Sequence, residues 1–158
     1  MVHQYATLNV NGNVTVSGFE NTSTSTTAPS NTNMSSFGRG AAFANASSGS
    51  ATINLNGTLI KDCRAALNGA GYYCYNWNST LTNVTIQNCY SAGNGGGVYV
   101  SAPPSGKTQS RIMTITNCTI TGNTVGAGSQ GADIYVDQSG VLNQSGTNTI
   151  GDLVNVNN

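Results

Sequence analysis

Carboxylates are the side chains of this sequence best suited to acid–base catalysis, but they are few and scattered. The acids, with the basic side chains that could assist them, are Glu20, Asp62, Asp133, Asp137 and Asp152, and Arg39, Lys61, Arg64, Lys107 and Arg111. Asp133 and Asp137 are four positions apart in a strand-like segment, which places them on the same side at about 13 Å. Glycosidases hold their two carboxyl groups at most about 9.5 Å apart. We therefore expect no catalytic residue and a protein that is not an enzyme, with Asp62 as a turn residue.

Metal-ligating side chains are equally scarce. His3 is the one histidine, and the four cysteines form no Cys-x-x-Cys pair. A structural zinc site needs four Cys or His ligands, and a Cys–His nucleophile needs both residue types close together. The sequence therefore predicts neither a bound metal nor a cofactor.

Aromatic side chains recur in a short sequence word and are the best candidates for a binding surface. The word reads "GAAFAN" at 40–45, "AGYYCY" at 70–75, "GGGVYV" at 95–100 and "GADIYV" at 131–136. The aromatic residues that we align in it are Phe43, Tyr73, Tyr99 and Tyr135. Because apolar residues alternate with them, we expect the aromatic rings to form an outward-facing column. Such a column could cover strand backbone, form a seam for a neighbouring protein or provide a platform for sugar rings.

A second word precedes each aromatic one and predicts an inward-facing column. Its copies are "VTVSGF", "TLIKDC", "VTIQNC" and "MTITNC", which align the apolar residues Val16, Ile60, Ile86 and Ile115. A turn follows, at Gly18, Asp62, Asn88 and Asn117. These are the residue types that tolerate left-handed backbone.

The same word ends on a cysteine in three of its copies. The alignment predicts a buried ladder of Cys63, Cys89 and Cys118. We expect these thiols to fill a corner of the core as small hydrophobic groups. The alternative is one disulfide that involves Cys74, if the protein is in an oxidising compartment.

Two alternating words make an internal repeat, and the repeat predicts the fold. Ile60, Ile86 and Ile115 are 26 and 29 residues apart, each word is four to six residues long, and the apolar positions have the period of two that is typical of strands. No segment has helical periodicity. Because such a unit cannot bury its own apolar face, copies must stack on one another. We predict an all-β, right-handed parallel β-helix, a β-solenoid of about five rungs. Residues 1–158 form one domain, with loop insertions at about 20–38 and 101–110.

Composition limits the partners. Charged residues make up 6% of the chain and the net charge is zero, which argues against nucleic acid and acidic membrane surfaces. No apolar run is long enough to span a membrane, so we expect no membrane insertion. The start "MVHQYATLNV" shows no secretory signal, which we interpret as a signal removed or as an excerpt of a longer chain.

Other features favour a location outside the cell. The chain is rich in Asn, Ser and Thr and poor in Lys and Glu, as surface repeats are. Possible N-glycosylation sites of the Asn-x-Ser/Thr type begin at Asn13, Asn21, Asn33, Asn45, Asn56, Asn78, Asn83, Asn117 and Asn143. We therefore expect an extracellular or cell-surface protein.

The segment "TITNCTITGNTVGAGSQGADIYV" at 114–136 resembles the right-handed parallel β-helix repeats of bacterial surface proteins, in particular the polymorphic outer-membrane-protein and adhesin-like group. Those repeats join a "TI-x-N-[CSF]-x-[FI]-x-x-N" segment to a "GG-[AG]-[IV]-Y" segment. Here "ITGN" at 120–123 occupies the place of the closing F-x-x-N, with Ile for Phe, and "GGGVYV" at 95–100 occupies the place of the glycine-rich segment. The resemblance implies a cell-surface or secreted fibre-like module and carries over no catalytic residue.

Two functional hypotheses follow from the sequence. The first is a non-enzymatic structural or adhesive β-solenoid module, either part of a cell-surface protein with further β-helix repeats or the subunit of a fibre that stacks on itself end to end. The alternative is a β-helix protein that binds or degrades polysaccharide, in which surface glycans are the partners.

Overall fold

The computed structural model describes residues 6–24, 38–45, 52–75, 78–101, 111–138 and 140–157. Across these residues the structure consists of strands and connecting turns, with no helix. The strands in chain order are β1 (Thr7–Ser17), β2 (Glu20–Asn21), β3 (Phe43–Asn45), β4 (Thr52–Lys61), β5 (Arg64–Ala65), β6 (Tyr72–Cys74), β7 (Ser79–Thr82), β8 (Thr85–Gln87), β9 (Tyr90–Ser91), β10 (Val98–Val100), β11 (Arg111–Thr116), β12 (Thr119–Thr121), β13 (Thr124–Val125), β14 (Ile134–Val136), β15 (Gly140–Ser145), β16 (Thr149–Ile150) and β17 (Leu153–Asn155).

The strands form three sheets, and every strand pair among the described residues is parallel. Sheet A has eight strands in the order β15-β11-β7-β4-β8-β12-β16, with β1 paired to β4. Sheet B has the order β13-β9-β5-β2, and sheet C has the order β17-β14-β10-β6-β3. Along the chain the strands run through sheets A, B and C in that order four times, and the last pass goes from sheet A directly to sheet C. Parallel strands need such long returning connections, since a hairpin joins only antiparallel strands.

The core lies between the sheets and is built from in-register aliphatic columns. Ile86 pairs with Ile60 on one side and with Ile120 on the other, and all three side chains are fully buried. Alternation along β4, in which buried residues alternate with partly exposed ones, is the period expected for strands with one apolar face. Burial of each isoleucine stabilises the fold by about 2–3 kcal/mol.

Sharp turns separate the strands, and their residues have left-handed backbone. The four non-glycine residues with positive φ among those described are Asp62, Asn83, Asn88 and Asn117, at 52° to 55°. Asp and Asn adopt this conformation at low cost because their short side chains bond locally. The left-handed turn predicted for Gly18, Asp62, Asn88 and Asn117 is therefore confirmed.

The register of the fourth copy of the apolar word, "MTITNC", differs from the prediction. Ile115 pairs with Leu81, not with Ile86, and the place beside Ile86 belongs to Ile120. Cys118 accordingly lies beside Val84, one strand before the position of Cys89. The segment "MTITNCTIT" contains the same alternation twice, so pattern alone does not tell which copy enters the Ile86 column.

Phe43 is also out of the predicted register, by one residue. Phe43 pairs with Tyr72, and Ala44 takes the place beside Tyr73. Phe43 consequently packs against the core instead of joining the outer tyrosines. A slip of one residue moves a side chain to the opposite face of a sheet.

The two predicted insertions are only partly described. The first, at about 20–38, begins with strand β2 instead of a loop, and its residues 25–37 lie outside the described part. Residues 102–110 of the second insertion, His3, Lys107 and the glycosylation motif at Asn33 lie outside it as well.

Candidate functional site

Three tyrosines of sheet C stand side by side and form the most ordered aromatic feature of the described surface, here called the tyrosine column. Tyr99 pairs in register with Tyr73 and with Tyr135. The ring centroids are 5.5 Å apart for Tyr73–Tyr99 and 5.4 Å apart for Tyr99–Tyr135, with interplanar angles of 15° and 11°. Centroid separations of 4.5–7 Å are those of favourable aromatic pairs.

Glycine at the start of the third and fourth aromatic words has a steric reason. Gly95 has a φ of +67°, and a Cβ there would collide with the carbonyl oxygen of Val98. Gly131 stands in the same relation to Ile134. The glycines thus allow the tight turn that delivers the chain to the tyrosine column.

The hydroxyl of the central tyrosine is anchored. Tyr99 donates a hydrogen bond of 2.5 Å to Oδ2 of Asp137. Burial, followed by the hydrogen bond to Asp137, raises the pKa of Tyr99 above its ordinary value. Burial also raises the pKa of Tyr73 to about 12. Both hydroxyls therefore stay protonated at neutral pH.

The tyrosine column is mostly closed to ligands. Tyr73 and Tyr99 are 2% and 7% exposed, whereas Tyr135 is partly exposed. One face of Tyr73 contacts Tyr99, and Tyr75 and the guanidinium of Arg39 lie 6.1 Å and 5.7 Å from its ring. Since neighbouring rings occupy the stacking faces, a sugar ring has access to Tyr135 only. The arrangement fits a stabilising stack better than an open platform.

The two carboxylates that the sequence placed on one side do not converge. Asp137 accepts the hydrogen bond from Tyr99, while Asp133 is 3% exposed and turns to the connection between β12 and β13. Oδ1 of Asp133 accepts from the backbone N–H and the Nδ2 of Asn123 at 3.0 Å and 2.7 Å. Its Oδ2 accepts from the N–H of Asp152 at 2.8 Å. With its oxygens so engaged, Asp133 is a structural group, and the predicted shared side is wrong.

The buried amide of Asn123 extends this network to the cysteines. Asn123 occupies the position that sequence alignment gave to Cys118, and its Oδ1 accepts from the N–H of Cys89 at 2.9 Å. The predicted three-cysteine ladder is therefore replaced by a column of Cys63, Cys89 and Asn123. Sequence reasoning missed this role of Asn123, although the recurring Asn and Gly residues of the turns were a signal.

All four cysteines are buried thiols. Cys63 and Cys89 are neighbours in one column and donate to the carbonyls of Lys61 and Gln87 at 3.2 Å and 3.5 Å. The interaction between the two neighbouring thiols lowers the pKa of Cys63 and, together with burial, raises the pKa of Cys89. Cys74 belongs to sheet C, where its sulfur lies 3.7 Å from the hydroxyl of Ser79. Cys74 thus lies in a different part of the core from Cys63 and Cys89.

A shallow groove over sheet B was not foreseen from the sequence. Its volume is about 210 Å³, and Glu20, Asn21, Arg64 and Tyr90 contribute the polar and aromatic lining. The guanidinium of Arg64 lies 4.5 Å from the ring centroid of Tyr90, a cation–π contact. No acid pairs with Arg64 among the residues that the structure describes. This groove offers a fixed positive charge beside hydrogen-bonding side chains.

The possible glycosylation sites differ in accessibility. Asn13, Asn56, Asn78 and Asn143 are exposed, while Asn45 is fully buried. Asn83 and Asn117 form left-handed turns, and Asn117 accepts a hydrogen bond from the N–H of Thr147. Asn21 is partly exposed and faces the groove of sheet B.

In the described part of the chain, no three His, Cys, Asp or Glu side chains cluster as metal ligands would. The same residues contain no helix with the length and apolarity needed to cross a membrane. No family model, no curated protein and no solved structure matches this chain.

Proposed function

We propose that the chain is a right-handed parallel β-helix that serves as a non-enzymatic structural or adhesive module outside the cell. The observation that carries this proposal is the in-register return of the chain to the same sheets. Ile60, Ile86 and Ile120 meet in sheet A, and the tyrosine column meets in sheet C. Each pass through sheets A, B and C is then one turn of the helix. Crossovers between parallel strands are right-handed in almost all proteins.

The shape that follows suits a spacer or fibre more than a catalyst. Successive turns lie about 4.8 Å apart, so five turns give a rigid stub of about 20 Å. The carboxylates do not form an acid–base pair: Asp133 is saturated with hydrogen bonds from the chain itself, and Asp137 holds Tyr99. Low charge and exposed Asn-x-Ser/Thr motifs such as Asn56 and Asn78 support a location outside the cell.

Chemical cross-linking within one chain tests the β-helix. Thr80 and Thr114 pair in register in sheet A and are partly exposed. In the variant Thr80→Cys/Thr114→Cys, a short bismaleimide should join the two thiols within a monomer, detected as a doubly attached reagent in one tryptic cross-linked peptide. The control Thr80→Cys/Thr149→Cys places the thiols on strands that are not neighbours in sheet A. Equal cross-linking of both pairs would contradict the stacking.

Location and activity need a separate test. An antibody raised against the folded domain should label intact cells of the source organism as strongly as permeabilised ones. Labelling only after permeabilisation would overturn the extracellular part of the proposal. A reducing-end assay with a panel of polysaccharides should show no turnover. Turnover that Asp137→Asn abolishes, in a variant of unchanged melting temperature, would overturn the non-enzymatic part.

The groove over sheet B favours saccharide binding as a second candidate function. Arg64 is stacked on Tyr90 and carries a charge that suits the carboxylate of an acidic sugar, and Glu20 and Asn21 can bond to hydroxyl groups. A glycan array should then show binding to acidic glycans that Arg64→Ala abolishes and that Lys61→Ala leaves intact. Binding that is unaffected by Arg64→Ala would exclude the groove.

A further inference from the structure

The apolar core is uncovered at two opposite edges of the sheets. Among the described residues the exposed large hydrophobic side chains are Val14, Phe19, Leu153 and Val156, with 37% to 55% of their surface exposed. The first two belong to β1 and the turn after it, and the last two belong to β17 and the turn after it. Every other large hydrophobic side chain in the described ranges is at least partly buried. The exposed apolar surface is therefore concentrated where the sheets stop.

Within the described part of the chain, the strands at these edges lack the features that normally prevent pairing with another chain. β1 pairs only with β4, and β15 and β16 end sheet A on the opposite side. The sequences TLNVNGNVTVS, GVLNQS and TI of these three strands contain no charged residue and no proline. Edge strands of monomeric proteins usually carry lysines, prolines or covering loops that block a further strand.

The two edges share a turn length that the strands between them do not have. In the middle of sheet A a single left-handed residue, Gly57, Asn83 or Asn117, separates the two halves of each pass. At the first edge two residues take its place, because β1 has a register shift against β4 between Asn11 and Val14. At the last edge two residues take its place again. Thr116 pairs with Ser145 and Thr119 pairs with Thr149, so three residues of this edge lie opposite two of the neighbouring pass.

The extra residue follows a glycine at both edges. Gly12 and Gly146 begin the longer turns and have φ values of +92° and +64°. The segments 7–16, TLNVNGNVTV, and 141–150, VLNQSGTNTI, therefore align without a gap. Each edge is therefore shifted by one residue relative to its own neighbour strand, whereas the two edges match each other residue for residue.

The aligned positions also match in chemistry. Leu8, Asn9, Gly12 and Thr15 face the identical residues Leu142, Asn143, Gly146 and Thr149, and Val16 faces Ile150. Within the chain, the Nδ2 of Asn54 donates to the Oδ1 of its in-register neighbour Asn9 at 2.8 Å. An Asn143–Asn9 pair would repeat this bond. Gln144, opposite Val10, and Asn148, opposite Val14, are the exceptions.

We propose that β15, β16 and β17 of one copy pair in parallel with β1 and β3 of the next, so that copies of this chain join head to tail. The inference rests on the proposed β-helix and adds the occupant, a second copy, and the register, Asn143 beside Asn9. Sheet B contributes no pair at the joint, because no strand follows β13 in that sheet. A head-to-tail contact that does not close builds a filament. Since the paired strands carry no charge, the joint depends on concentration and little on salt.

Cross-linking between copies tests the register directly. Asn9 and Asn143 are both exposed and lie in the same column at opposite edges of sheet A. In Asn9→Cys/Asn143→Cys, a short bismaleimide should give a ladder of covalent multimers on a denaturing gel. The matched control Asn56→Cys/Asn143→Cys carries one thiol in the middle of the sheet and should give none. The four native cysteines are buried and give the background in the unmodified protein.

The outcomes separate the joint from the fold. The intrachain pair Thr80→Cys/Thr114→Cys serves as the positive control, since its failure would refute the β-helix itself. If this pair reacts and the Asn9/Asn143 pair gives no ladder at the highest soluble concentration, the head-to-tail joint is wrong and the proposed fold stands. A ladder of equal strength in the Asn56/Asn143 control also refutes the register.

A charge at the edge provides a second, independent measurement. Leu153→Lys places an ammonium group on β17 where it would meet the next copy, and Thr119→Lys places one on the exposed face of β12. We expect Leu153→Lys to raise the dissociation constant of the joint at least about tenfold by sedimentation velocity, a loss of about 1.4 kcal/mol. Thr119→Lys should have no effect. Equal weakening by both variants would contradict the proposed surface.

Discussion

The tyrosine column joins three in-register residues of sheet C, and Asp137 accepts a hydrogen bond from its central hydroxyl. The recurring aromatic word predicted the alignment of Tyr73, Tyr99 and Tyr135, and these residues do pair in register. Asp137, which receives the hydroxyl of Tyr99, is two residues beyond Tyr135 and had no signal of its own. The contact depends on which strand lies next to which, and a linear pattern does not contain that information.

The buried hydroxyl of Tyr73 predicts a loss of stability in alkaline solution. The folded pKa of about 12 lies above the ordinary value of 10.0, so the unfolded chain releases its proton first as the pH rises. The stabilisation from the neutral hydroxyl is complete below pH 10.0 and is lost as the pH rises toward about 12, an effect of about 3 kcal/mol.

The variant Tyr73→Phe should remove that contribution while keeping the stacked ring. Urea unfolding measured at several alkaline pH values should show a shallower loss of stability for Tyr73→Phe than for the unmodified protein. Tyr90→Phe, which removes a hydroxyl from sheet B outside the tyrosine column, is the matched control and should follow the unmodified protein. Identical slopes for all three proteins would contradict the prediction.

Removal of the buried Asp133 carboxylate should lower the free energy of unfolding. Asp133→Ala leaves the N–H and the Nδ2 of Asn123 and the N–H of Asp152 without their acceptor. Each buried donor left without a partner costs about 1–3 kcal/mol, so we expect a loss of about 3 kcal/mol or more in the free energy of unfolding. Chemical denaturation measures it, with the exposed Gln138→Ala as control. A loss below about 1 kcal/mol would show that water replaces the carboxylate.

The element scale shows why the strands were predictable and their register was not. Period-two alternation and the flanking Gly and Asn residues identify β4, β8 and β10 as strands. The same alternation occurs in β11 and in β12, so alternation alone does not distinguish Ile120 from Ile115 as the neighbour of Ile86.

The turn at Asn88 predicts an unusual order of substitution effects. Asn88 has a φ of 55°. Glycine adopts this conformation without strain, whereas alanine is destabilised in it by about 1 kcal/mol. The free energy of unfolding of Asn88→Gly, measured by chemical denaturation, should therefore exceed that of Asn88→Ala by at least about 1 kcal/mol. At the neighbouring strand residue Gln87 the order should reverse, because glycine weakens a strand relative to alanine. The same order at both positions would argue against the left-handed turn.

At the scale of the whole molecule, stability should be graded from the middle to the edges. β8 has a paired strand on each side, β4 and β12, whereas β1 and β16 have one. Opening of an edge strand breaks half as many inter-strand bonds and exposes side chains that are already partly in water. At a dilution at which the protein is monomeric, hydrogen exchange followed by mass spectrometry should find the slowest amides in β7 and β8 and the fastest in β1, β15 and β16. Uniform exchange across sheet A would contradict this gradient.

The order of strands in sheet C has a mechanical consequence. β3 and β17 occupy opposite edges of that sheet, so tension applied between them acts along the inter-strand hydrogen bonds and loads their rows one after another. When the rows of hydrogen bonds are loaded one after another, they separate one at a time and at low force. Strands that are pulled past each other load all their hydrogen bonds at once and resist a higher force. Each detached strand would release chain on the order of 100 Å when extended. The protein would then yield to a pull in small, countable steps and lengthen greatly before it broke.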